Sequence, residues 1–134
     1  MSVQPDDDAV LSARTWLEYA GNDLEMAARG LQPPALTELV CYHSQQAAEK
    51  ARKAYLVWLS EERVPRHHRL GDLADGIVRL GGASAPRDPL AILESYAVNI
   101  RYPEAPWPSL PEAHAALEFA REVLAWVQQA LALP

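Results

Sequence analysis

The sequence contains a single cysteine, Cys41, so no intrachain disulfide can form and neither a Cys₄ nor a Cys₂His₂ zinc site can be assembled. Glycine is sparse, at six residues. No glycine-rich phosphate loop is present, and Gly81-Gly82 reads instead as a helix stop. Long apolar runs are missing too. The longest charge-free one, VLAWVQQALALP at 123–134, is too short to span a bilayer and carries two Gln. No basic start followed by an apolar segment is found, so no secretory signal is expected and the chain reads as cytoplasmic, without a membrane partner. Positive charge is also in deficit. Twelve Lys and Arg stand against 18 Asp and Glu, a formal net charge of −6, which argues against strong non-specific binding to nucleic acid.

What is present fits one globular domain over residues 1–134, with its core at about 10–131. A chain of 134 residues suits a single domain, and one of that size buries roughly 68% of the surface its unfolded form exposes. Hydrophobic residues make up 49% and charged residues 22%, an ordinary balance.

Five segments step by threes and fours, and none alternates as a strand does. The first carries Ala13, Trp16, Leu17, Ala20, Leu24, Ala27, Ala28 and Leu31 behind the acids Asp6–Asp8, which suit the positive end of a helix. Gly30 and Pro33-Pro34 end it. The second, about 35–61, has the stripe Leu36, Val40, His43, Ala47, Ala51, Ala54 and Trp58, whose small residues let a neighbouring helix come close. A third runs over about 68–80. A short fourth opens on Asp88 as N-cap with Pro89 at the first helical position. The prolines of RYPEAPWPSLP at 101–111 interrupt regular structure, and Ser109 and Glu112 are spaced like a capping box for the last helix. Three long amphipathic helices and two short ones predict an all-α, antiparallel up-and-down four-helix bundle with an additional short helix.

Half of the Lys and Arg lie between 50 and 69: Lys50, Arg52, Lys53, Arg63, Arg66 and Arg69, beside His67 and His68. A solvated helix end is the expectation, with an RNA or phosphate contact face as the alternative. Within the second helix, His43, Gln46 and Lys50 lie on or beside the inward stripe. Such groups need partners when buried, so His43 and Gln46 either bond to polar groups on neighbouring helices or serve a ligand or subunit interface. Cys41 is expected to be a small buried hydrophobe. No i,i+4 His pair exists, and no metal or other cofactor is expected. Trp58, Tyr102, Trp107 and Trp126 are many aromatics for a small bundle and tilt the reading towards self-association.

Three stretches carry a resemblance. CYHSQQAAEKARKAYL at 41–56, HRLGDL at 68–73 and YAVNIRYPEAPW at 96–107 resemble, in order and at sensible separations, the HEPN domain (higher eukaryotes and prokaryotes nucleotide-binding). The resemblance implies a four-helix bundle with an added short helix, usually a homodimer. It also implies a minimal nucleotidyltransferase partner, in pairs that often act as toxin and antitoxin. Many members are metal-independent ribonucleases whose motif is Arg, four to six residues, then His.

Arg101 matches that Arg, but Pro106, Trp107 and Pro108 stand where the His belongs. A His could exchange protons with a 2′-hydroxyl while Arg stabilises phosphate charge, and half of that pair is missing. Arg63 and His68 also have four residues between them, but lie between the second and third helices. The reading that follows is a non-catalytic HEPN-type protein, with no catalytic residue assigned, that binds a nucleotidyltransferase partner, a nucleotide or RNA. Arg101 and Lys50 would contact phosphate, His43 and Gln46 would orient by hydrogen bonds, and Tyr102 would stack on a base or accept a modification. The alternatives are a divergent ribonuclease pairing Arg101 with His43 or His114, and a structural or adaptor bundle.

Overall fold

The computed structural model describes residues 6–60, 70–100 and 107–132. They form five helices, α1 (Asp7–Gly30), α2 (Thr37–Ser60), α3 (Leu70–Arg79), α4 (Arg87–Ile100) and α5 (Leu110–Leu131), and no strand occurs among them. The all-α architecture expected from periodicity is present. No helix among the described residues is long and apolar enough to cross a membrane.

Helix ends follow local chemistry. Asp6 caps α1, its Oδ1 accepting from the Ala9 amide at 2.7 Å, with Asp7 and Asp8 in the first turn where the dipole favours acids. The Ser109–Glu112 capping box forms in both directions, at 3.2 Å to the Glu112 amide and 3.1 Å to the Ser109 amide. Pro111 fits inside it because a first-turn residue needs no N–H partner. The expected cap at Asp88 is not where α4 starts. The helix begins one residue earlier at Arg87, so Asp88 is an acid of the first turn and Pro89 is the third helical residue.

Three glycines set the packing. An added Cβ on Gly30 would come within 2.9 Å of Val40 Cγ2, and the Leu36 amide donates to the Gly30 carbonyl at 2.8 Å. The α1–α2 connection is therefore drawn tight. After α3, Gly81 takes φ +90°, and a Cβ on Gly82 would meet Ile77 Cγ2 at 2.5 Å and Leu59 Cδ1 at 2.8 Å. One glycine supplies the left-handed turn; the other supplies room for α2 against α3. Tyr55 Oη then accepts from the Ala83 amide at 2.8 Å.

Helix α2 packs against all four other helices, and from Ala47 to Val57 every side chain except the half-buried Lys50 is buried. This corrects the single inward stripe. Leu36 is exposed and precedes the helix, and His43 is half-buried, whereas Cys41, Ser44, Arg52 and Tyr55 are buried. A stripe presumes one buried face; the second half of α2, packed among four helices, has no single one. Fully buried Ala47, Ala48, Ala51 and Ala54 allow those close approaches. Of the large aromatics, Trp16, Trp58 and Trp126 pack partly buried against the core, while Trp107 is exposed.

Candidate functional site

Asp23 organises the polar residues of the α1–α2 hairpin. On α1 it falls between Ala20 and Ala27 along the buried face and is itself 8% exposed. Its Oδ1 lies 2.9 Å from His43 Nδ1 and its Oδ2 accepts from Lys50 Nζ at 2.5 Å. His43 and Lys50 are two helical turns apart, so both meet one carboxylate on the facing helix. A withdrawn carboxylate is costly without partners, and here each oxygen has one.

The contact also sets the imidazole chemistry. With an ionised carboxylate against Nδ1, that nitrogen carries the proton, so the neutral ring keeps a bare lone pair on Nε2. The Tyr42 ring meets His43 edge-on at 5.2 Å between centroids. Gln46 takes a different course from His43. Its Nε2 donates to Gln45 Oε1 at 2.9 Å and weakly to Glu49 Oε2 at 3.5 Å, both on its own helix. Glu49 also holds Lys53 at 2.9 Å, and Lys53 lies 5.2 Å over the Trp16 ring on α1.

The structure thus brings His43, Gln46 and Lys50 onto the α1–α2 face. Arg101 and Tyr102 lie outside the described residues, although α4 runs to Ile100, the residue before them. Bonding to a neighbouring helix holds for His43 and not for Gln46. The solvated basic end fails for its first three members: Arg52 and Lys53 are buried and Lys50 is held by Asp23. The cause is the packing of α2 among four helices, which leaves that stretch little solvent face beyond Lys50. Arg63, Arg66, His67, His68 and Arg69 lie outside the described residues. Burial pushes the Cys41 thiol up to about 12, with Glu112 and Glu38 adding to the shift, so Cys41 is a poor nucleophile.

Asp23 escaped the sequence reading. Its signal is an acid on an otherwise apolar inward row, Ala20, Asp23, Ala27. Beside the cluster the hairpin also exposes apolar side chains: Tyr19 and Met26, which share a face of α1 with Asp23, are about half exposed, as are Leu39 and Tyr42 on α2.

The family model for the HEPN domain matches residues 13–130. The crystal structure of an archaeal HEPN homologue is similar to this chain at 26% identity and a TM-score of 0.67, covering 87% of this chain and 95% of that one. No curated protein matches.

Proposed function

This chain belongs to the HEPN domain family, and from that premise we propose that it works by binding rather than by catalysis, as one member of a pair with a minimal nucleotidyltransferase. The observation that carries the proposal is the outer face of the α1–α2 hairpin. There Tyr19, Met26, Leu39 and Tyr42 remain exposed around a polar cluster whose charges are already matched. Apolar patches of this kind mark interaction sites, and Tyr is a favoured contact residue.

The absence of a histidine at 106–108 supports the same reading, since Pro106, Trp107 and Pro108 offer no proton-transfer group. Arg101 then serves phosphate or partner contact, and Tyr102 stacks on a base or accepts a modification. Gln46 and His43 orient a ligand or partner. Lys50, already bonded to Asp23, acts as a positioned charge. The protein itself is a homodimer in this reading, and the pair acts in the manner of toxin and antitoxin.

The test is native mass spectrometry of the protein alone and with a small nucleotidyltransferase encoded beside it. A dimer that takes up the enzyme, and loses it on Tyr42→Glu, is the expected result. A monomer indifferent to that enzyme would overturn the proposal.

A second reading rests on the Asp23–His43 contact. A carboxylate that fixes an imidazole tautomer is a general-base arrangement, so a divergent ribonuclease would use His43 with Arg101.

A further inference from the structure

Nine residues after His43, and on the opposite side of α2, Arg52 is fully buried. Its Nε, Nη1 and Nη2 make no hydrogen bond among the described residues. One face of the guanidinium lies on Trp126 of α5, with Cζ 4.6 Å from the ring centroid. Tyr55 packs against the same indole at 5.2 Å. Burial disfavours the charged form, and the field of Glu94 on α4 opposes that effect without a hydrogen bond to the guanidinium.

This is anomalous on its own helix. Lys50 is bonded to Asp23 and Lys53 to Glu49, yet the most deeply buried cation among the described residues has no hydrogen-bond acceptor there. A buried charge in that state is costly, and unsatisfied buried groups mark strain, catalysis or a missing partner. Stacking on Trp126 occupies the face of the guanidinium and leaves its in-plane donors open. Those donors form the fork that recognises oxyanions bidentately.

We propose that Arg52 is the recognition group of an internal oxyanion site of phosphate class, enclosed by α2, α4 and α5. Five N–H donors on three nitrogens exceed what the two oxygens of one carboxylate can accept, whereas a phosphate group offers three or four oxygens. Because the donors are covered, the anion enters as α4 separates from α2. Binding is thereby coupled to the position of the helix that ends immediately before Arg101. The site is distinct from the α1–α2 face and does not depend on the function proposed for it.

The experiment is isothermal titration of the full chain with inorganic phosphate, adenosine monophosphate and adenosine at matched ionic strength. Wild type, Arg52→Met, Arg52→Lys and the surface control Arg121→Met are compared. Wild type and Arg121→Met should bind phosphate saturably. Arg52→Met should lose that binding, and Arg52→Lys, which keeps the charge and loses the fork, should weaken it about tenfold. Adenosine monophosphate binding more tightly than phosphate, with adenosine silent, assigns a nucleotide-borne group; equal affinity assigns free phosphate. No saturable binding by wild type in the millimolar range overturns the proposal, as does equal loss in Arg121→Met. Loss in Lys50→Met, measured in the same way, with retention in Arg52→Met also overturns it and moves the anion to the α1–α2 face. Should circular dichroism show Arg52→Met unfolded, undiminished binding by Arg52→Lys is the overturning result.

Discussion

The Asp23 carboxylate and the Lys50 ammonium meet across the α1–α2 hairpin at 2.5 Å, both largely withdrawn from water. This pair, with His43 on the other carboxylate oxygen, ties the register of the two longest helices by polar contacts. Asp23→Asn should keep the shape and lose the charge, leaving Lys50 without its counter-ion. Lys50 retains some solvent contact, so the expected loss of stability is about 1–3 kcal/mol, below the figure for fully buried pairs. Urea unfolding measures it, and a loss under ~0.5 kcal/mol, the scale of exposed pairs, would show that packing alone holds the hairpin.

Cys41 gives a pH signature. Burial pushes the folded thiol up to about 12 from its ordinary 9.0, so the unfolded chain releases the proton first as pH rises. The thiol's stabilising contribution is complete below pH 9, is lost progressively between 9 and 12, and changes no further above that. Cys41→Ala removes this loss. Its stability relative to wild type should therefore climb across that window, by roughly 4 kcal/mol at most. Parallel pH-dependence for both proteins would contradict the assignment.

Two glycines should respond oppositely to the same substitution. A Cβ at Gly21 of α1 meets nothing within 4 Å, whereas one at Gly82 meets Ile77 and Leu59 below 3.0 Å. Gly21→Ala should stabilise by about 0.5–1 kcal/mol through helix propensity, and Gly82→Ala should cost about 1–3 kcal/mol by overpacking. Differential scanning calorimetry would show midpoints moving in opposite directions.

RNA cleavage separates the two functional readings. The wild-type protein should not cleave RNA in EDTA, because loss of an acid–base partner typically removes ~10²–10⁴-fold in rate. Cleavage that vanishes in both Arg101→Ala and His43→Gln would replace the binding reading with the divergent nuclease.

Much of the fold was legible because helix signals are local. Ser109 and Glu112 announced a capping box, Asp6–Asp8 announced the start of α1, and Gly81-Gly82 announced the stop after α3. Periodicity failed at α2, because it reports one buried face and cannot register a helix enclosed by four others. That is why Arg52 and Lys53 read as solvated when they are buried. His43, Gln46 and Lys50 were legible as a group by their spacing. Asp23 was not, since a contact twenty residues away belongs to the packing of α1 on α2. The sequence marks it only by an acid amid alanines.

The enclosure of α2 also fixes how the molecule opens. Any helix that detaches uncovers part of α2, yet the remaining helices still shield most of its backbone. The amides of residues 47–57 should therefore exchange with solvent deuterium only when the whole domain unfolds. Those of α3, a ten-residue helix, should exchange through smaller excursions. Stability is thus graded outward from one central segment, and the slowest-exchanging amides trace it.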